Sequence, residues 1–245
     1  MFIKCTGCNK IGFQAELIEQ LSVCDSCGFH HRINSAQWID LLFDRGAFEE
    51  RHVEVAARNP LSFPGFDEQL TKARERTGKL SAVICGEAYI EKTKVAVIVF
   101  DFQFLGGSIG SAEGEKIART FESAISNGLP VLAIVASGGA RVQEGLFALM
   151  QVPKMIFARG KHRDANLKFV VILTDPSMAG SLIGFAMTAD AILAEPGARV
   201  AFSGARVNGA KCESRAEDYE TWGFVKVVLR HKLRDECIHF LSNSK

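Results

Sequence analysis

The sequence predicts an α/β fold with a small metal-held ribbon at its N-terminus. Three observations predict it. Two Cys-x2-Cys pairs, Cys5 with Cys8 and Cys24 with Cys27, stand fifteen residues apart near the start of the chain. Three apolar runs of strand length follow, at residues 94–100, 130–136 and 168–174. Each run ends in a turn of glycine and other small residues and leads into a helical pattern.

Composition sets the outer bounds. Hydrophobic residues make up 47% of the 245 and charged residues 23%, which excludes intrinsic disorder and allows a full-sized core. The 29 basic and 28 acidic residues leave a net charge of +1, so the total charge gives no dominant pull toward nucleic acid or an anionic membrane. No apolar run reaches the roughly 18 residues of a membrane span, and Met1-Phe2-Ile3-Lys4-Cys5 does not read as a secretory signal. A cytoplasmic protein without membrane contact is expected.

The seven cysteines are an odd count, which argues against a disulfide framework. Four thiolates at the spacing of Cys5, Cys8, Cys24 and Cys27 can surround one Zn²⁺ tetrahedrally, each pair on a tight turn. Gly7 and Gly28 suit the bent backbone of such turns. A ribbon this short cannot bury a core, so the metal supplies its folding energy. A closed four-thiolate site leaves no position for water, and the zinc is therefore structural. Two redox pairs are the alternative, but no thioredoxin-like unit lies nearby. Lys4, Lys10, His30, His31 and Arg32 flank the ribbon and form either a solvated face or a contact for nucleic acid or ligand phosphates. The ribbon is assigned to residues 1–33 and the second domain to residues 34–245.

Residues 33–78 read as mostly helical. Ser35 is the expected cap of the first helix; Asn59-Pro60 and Phe63-Pro64-Gly65 break the chain; a second helix runs over 66–76 and stops at Gly78. The first strand then leads through Gly106-Gly107-Ser108 into a helix over 112–126. The second leads through Ser137-Gly138-Gly139-Ala140-Arg141 into a long helix. The third leads through Asp175-Pro176-Ser177-Met178-Ala179-Gly180 into a helix over 181–189.

Where a strand meets a helix N-terminus, backbone N–H groups are unpaired and the helix dipole is positive. Missing side chains let a ligand oxygen approach, so such turns serve as phosphate cradles or oxyanion holes. The glycines fit neither G-x-G-x-x-G nor a P-loop, and Ser137 lacks the first glycine of a serine-hydrolase elbow. Asp175, Glu113, Glu115 and Glu144 lie near the turns and read as caps or solvated groups rather than bases. His162 reads as exposed in a polar loop, and His231 and His239 as surface or packing groups of the last helix. A site rich in N–H donors and poor in bases points to enolate stabilisation, with the proton acceptor supplied by a cofactor or another chain.

The four-cysteine ribbon, Phe104-Leu105-Gly106-Gly107-Ser108-Ile109-Gly110-Ser111, Ala136-Ser137-Gly138-Gly139-Ala140-Arg141-Val142-Gln143-Glu144 and Leu173-Thr174-Asp175-Pro176-Ser177-Met178-Ala179-Gly180 resemble, in this order, the carboxyltransferase β subunits of bacterial and plastid acetyl-CoA carboxylase. The resemblance spans residues 1 to about 207. It implies a crotonase-like superhelix of ββα units behind the zinc ribbon. It also implies a homologous α subunit in an α2β2 assembly, a biotin carboxyl carrier protein, and transfer of the carboxyl group from carboxybiotin to acetyl-CoA to give malonyl-CoA. Carried over to this chain, Gly106, Gly107, Gly138 and Gly139 are the catalytic oxyanion turns. Ser108, Arg141, Met178, Ala179 and Gly180 line the substrate, and Arg141 either positions its turn or meets the α subunit. Ala179 stands where the family more often has glycine, and its methyl is expected to narrow the site. Gly204-Ala205-Arg206-Val207 lacks the family's proline, and the segment after it is shorter and more polar. A paralogue acting on another acyl-CoA in a specialised pathway, or a non-catalytic partner subunit, are the alternative readings.

Overall fold

The computed structural model describes residues 2–201 and 214–242, except the side chains of Ala179 and Ile183. Among them, the apolar runs assemble into an eight-stranded sheet. Its strands are β3 (Glu49–Arg51), β4 (Val83–Ile90), β5 (Thr93–Phe100), β6 (Val131–Ser137), β7 (Phe169–Met178), β8 (Ala191–Ala194), β9 (Val200–Ala201) and β10 (Lys226–Val227). The order is β10-β8-β7-β6-β5-β4-β3, with β9 beside β7. β5, β6, β7, β8 and β10 run parallel, while β3, β4 and β5 form an antiparallel edge. The register aligns Ile98, Ala133, Val171 and Ile192 across four strands. The C-terminal ends of β5 to β8 therefore share one edge, where open parallel sheets hold their ligands. Beyond that edge the chain pairs again in short pieces: Ile109 with Ala140, Ser137 with Ser177, and Met178 with Ala201.

Both faces of the sheet are covered, which is why its central strands are apolar on both sides. On one face α4 (Ser111–Asn127) and α6 (Gln151–Asp164) pack over Phe121, Met155, Phe169 and Phe185. On the other, α2 (Ser35–Leu42) and the last described helix (Leu233–Ser242) bury Trp38, Leu42, Leu233 and Cys237. A third cluster, with Phe66 and Leu70 of α3 (Phe66–Thr77), closes around Phe104 at the base of the first glycine turn. Full burial of side chains such as these stabilises by about 1.5–3 kcal/mol each.

The ribbon is a hairpin of β1 (Phe2–Lys4) and β2 (Ile11–Phe13) with α1 (Gln14–Glu19) behind it. The first cysteine pair lies around the hairpin turn. The second lies in a loop closed by pairing of Val23 with His30.

Several expectations are corrected. Asn34, not Ser35, caps α2: its Oδ1 accepts from the Gln37 N–H at 2.9 Å and the Gln37 side chain accepts from the Asn34 N–H. Ser35 is buried and donates to Asp101 at 2.8 Å. The segment 33–78 also contains β3, whose three exposed residues show no alternation to read. No long helix follows Gly139. A 3₁₀ turn (Val142–Glu144) and the short α5 (Leu146–Leu149) intervene before α6, because Arg141 and Glu144 are pulled into a buried ion cluster and Gly145 turns the chain at φ +52°. In the third unit β7 extends to Met178, so α7 (Ala179–Ile183) begins two residues early and gives way to a 3₁₀ turn at Ala186–Thr188. Residues Gly204 to Val207 lie outside the described residues, as does the Ala179 methyl expected to narrow the site.

Candidate functional site

The first two glycine turns are stitched together at the ends of β5 and β6. Gly106 and Gly107 both have left-handed φ, near +65° and +63°. A Cβ on Gly107 would lie 2.0 Å from the carbonyl oxygen of Ala136, so this glycine is there for close approach of the turn to β6. The Gly138 N–H donates to the Gly106 oxygen at 2.9 Å, and the Ile109 N–H donates to the Gly139 oxygen at 2.8 Å. Gly138 is exposed, whereas Gly139 is buried with φ +100°. Among the described residues the Gly139 N–H meets only a side-chain hydroxyl, Ser137 Oγ, at 3.1 Å. In the third unit Met178 is buried, Ser181 Oγ donates to its carbonyl at 2.7 Å, and Gly180 lies against Val152.

Behind these turns sits a closed ion cluster. The Arg141 guanidinium reaches Glu113 Oε1 at 2.7 Å, Glu144 Oε1 at 3.0 Å, and the Ser108 oxygen and hydroxyl at 2.6 and 3.1 Å. Burial works against its charge, but the two glutamates outweigh this and raise its pKa further. Glu113 also accepts from the N–H groups of Ala82 and Gly110, and Glu144 from the N–H and hydroxyl of Ser111. A Cβ at position 110 would lie 2.0 Å from Glu144 Oε1, so the cluster closes only over a glycine. Arg141 and Ser108, expected at the substrate, are thus engaged with each other, and the arginine is enclosed by protein. Glu113 and Glu144 are structural ligands of that arginine. Glu115 is taken up by Arg119 at 2.6 Å and by Lys154.

Asp175 opens the third turn. Burial pushes its carboxyl up, but hydrogen bonds from Arg199 and the charges of Arg199 and Arg32 hold it below the usual range. The Arg199 Nε donates at 2.7 Å, and Arg32, from the end of the ribbon, at 3.1 Å. Every carboxylate singled out near the turns is thus held by basic or backbone donors, and none stands poised as a base.

His162 is buried on α6 rather than exposed in a loop. Arg159 can only donate to its Nδ1 (3.2 Å), so Nε2 carries the hydrogen and donates to the Leu129 oxygen at 3.1 Å.

In the ribbon, the four sulfurs of Cys5, Cys8, Cys24 and Cys27 lie within 4.8 Å of one another. The Cys5–Cys27 and Cys8–Cys24 distances are 3.7 and 3.9 Å. A tetrahedron with Zn–S of about 2.3 Å has edges of about 3.8 Å. The donor set fits a structural Zn²⁺. Lys10 is drawn to Asp25 at 3.2 Å and His30 to Glu195 at 2.9 Å.

Sequence reasoning missed an apolar surface beside the second turn. Val142 is 81% exposed and Leu146 70%, with Phe147, Leu149 and Met150 also exposed. Its signal was present: five large apolar residues within nine positions, four of them, Val142, Leu146, Leu149 and Met150, at the i, i+4, i+7, i+8 spacing of one helical face.

The carboxyl transferase domain family matches residues 34–224, and the acetyl-CoA carboxylase zinc finger domain family matches residues 2–27. An acetyl-coenzyme A carboxylase carboxyl transferase subunit beta of Rubrobacter xylanophilus is 40% identical over 243 residues, which is 99% of this chain and 93% of that protein. The protein of the same name from Desulforamulus reducens is 40% identical over 250 residues, 99% of this chain and 87% of that one. A transcarboxylase 12S crystal structure superposes with a TM-score of 0.72 at 23% identity, over 85% of this chain and 41% of that one. A Pseudomonas malonate decarboxylase hetero-tetramer gives a TM-score of 0.68 at 20% identity, over 86% and 82%. At these identities the two structures speak for the fold, which is crotonase-like with an N-terminal zinc ribbon. The glycine turns, the ribbon and the matches along nearly the whole chain place it in the acetyl-CoA carboxylase carboxyl transferase β-subunit family, a family of transferases that work as one part of a larger carboxylase.

Proposed function

We propose that this chain carries the acyl-CoA half of a carboxyl transfer site and gives malonyl-CoA from acetyl-CoA. One observation carries the reading: the buried Gly139 amide at the C-terminal edge of the sheet, held among the described residues only by a serine hydroxyl, in a turn whose neighbouring carboxylates are all engaged. An enolate oxygen is a stronger acceptor than a hydroxyl, so the Gly139 N–H would leave Ser137 Oγ as charge develops on the thioester oxygen. A preorganised donor of this kind contributes about 3 kcal/mol of barrier lowering. Gly106, Gly107 and Gly138 shape the turn and keep bulk away from it. Met178, Ala179 and Gly180 border the acyl chain. Carboxybiotin on the biotin carboxyl carrier protein supplies the carboxyl group and the acceptor for the methyl proton, which suits a site without a side-chain base of its own.

The apolar surface from Val142 to Met150, next to the turn, supports docking of an α subunit there, within an α2β2 assembly in the cytoplasm. The division into residues 1–33 and 34–245 is part of the same reading. Nucleic-acid contact by the ribbon is the weaker reading, because Lys10, His30 and Arg32 are each held by a carboxylate.

Co-purification with candidate α subunits, followed by carboxyl transfer from carboxybiotin to several acyl-CoAs, tests the proposal. Acetyl-CoA is expected to be the best acceptor. Gly139→Val is expected to abolish transfer while zinc stays bound; unchanged turnover in that variant would remove the oxyanion assignment.

A further inference from the structure

The link between ribbon and sheet does more than connect them. Residues 30–35 cross the C-terminal ends of three parallel strands and bond to each. At β8, His30 Nδ1 meets Glu195, which also accepts from Arg230 Nε at 2.6 Å; Arg230 in turn donates to the Leu21 oxygen in the ribbon at 2.7 Å. His30, Glu195 and Arg230 are all buried, so this end of the crossing is fixed. At β7, Arg32 Nε donates to the Asp175 backbone oxygen at 2.9 Å and Nη2 to its carboxylate at 3.1 Å. At β5, the Arg32 guanidinium lies 4.0 Å over the Phe102 ring and Ser35 donates to Asp101.

Arg32 is the one residue of this crossing that touches the approaches to two turns. The Phe102 ring borders Gly106, 3.9 Å from where its Cβ would be. Asp175 stands two residues before Ser177, whose register with Ser137 ties β7 to the root of the second turn. We infer that Arg32 is a positioning residue of the acyl-CoA site: its planar guanidinium, stacked on Phe102 and forked onto Asp175, sets the spacing between the first and third turns. The inference rests on the function proposed above. A guanidinium suits the task because it stacks and forks at once, whereas an ammonium does neither well. The second turn, with the Gly139 N–H, is tied to both, through the Gly138 N–H to Gly106 and the register of Ser137 with Ser177; a residue that holds a transition-state donor in place acts on kcat, whereas one that grips the substrate evenly acts on KM.

The test uses the assembled transferase with its α subunit, comparing wild type with Arg32→Gln, Arg32→Lys, Phe102→Leu and the double variant Arg32→Gln/Phe102→Leu. Zinc per chain, kcat and KM for acetyl-CoA are measured for each. The expected result is a loss of about tenfold in kcat for Arg32→Gln with KM unchanged and zinc retained, the scale of a modest misplacement of reacting groups. Arg32→Lys is expected to recover only part of this, and Phe102→Leu to add little once Arg32 is gone. A rise in KM at unchanged kcat would overturn the inference and make Arg32 a contact for the anionic part of CoA. Wild-type kinetics in Arg32→Gln would overturn it outright. If Arg32→Gln fails to fold, Arg32→Lys and Phe102→Leu decide by the same criteria. A wild-type assembly that carboxylates no acyl-CoA would instead defeat the proposed function itself.

Discussion

Arg141 and Glu113 form an ion pair of 2.7 Å in which neither side chain is exposed to solvent. The pair spans the two glycine turns: Glu113 lies on the helix that follows the first, and Arg141 follows the second. Removing one partner leaves a buried charge uncompensated, which typically costs about 3–5 kcal/mol. Arg141→Met is expected to destabilise the protein on that scale in urea denaturation. The double variant with Glu113→Gln should lose less than the sum of the two single losses, because each removes the other's unpaired charge.

Two glycines should respond to alanine with opposite signs. Gly107→Ala places a methyl against the Ala136 oxygen at a left-handed φ, and a loss of about 2 kcal/mol or more is expected. Gly160 lies inside α6 with nothing within 4 Å of its Cβ position, so Gly160→Ala should gain roughly 0.5–1 kcal/mol. Thermal melts followed by circular dichroism read both.

Cys24→Ser is expected to abolish stable zinc binding, which in the wild type is one ion per chain. The ribbon should unfold with the metal, because three thiolates and a hydroxyl no longer close the tetrahedron. Metal analysis of purified chains, with protease sensitivity near residues 10–20, checks this; a folded ribbon without metal would contradict it.

His162 gives a pH dependence. Burial lowers its pKa below 6.5 in the folded chain, so the unfolded chain takes up the proton first as pH falls. The contribution is fully present above pH 6.5 and is lost as pH drops through that value toward the folded pKa. The midpoint of urea unfolding should therefore fall between pH 7 and pH 5, and more steeply in the wild type than in His162→Gln.

The strands and glycine turns were legible because they depend on local patterns: apolar runs of strand length, and small residues at their ends. The four cysteines were legible because metal geometry is written in their spacing. Arg141 was not. Alone in the sequence, an arginine after two glycines reads as a substrate contact, a group that positions its turn or an α-subunit contact, and only the fold brings Glu113 and Glu144 around it. His162 failed for the same reason, since its polar neighbours hide the fact that one face of α6 is buried against Phe121. The crossing at residues 30–35 joins positions more than a hundred residues apart, such as Arg32 and Asp175, and no local pattern announces it.

The bond between Arg230 and the Leu21 carbonyl joins residues 209 positions apart. During translation the N-terminal segment emerges early, and at about 5–20 residues per second its anchor leaves the ribosome some 10–40 seconds later. Through that interval the nascent ribbon lacks this anchor, and thiolate coordination is the means by which it can already hold its shape. Metal scarcity in the cell would therefore act during birth of the chain, before any finished subunit exists to lose its ion.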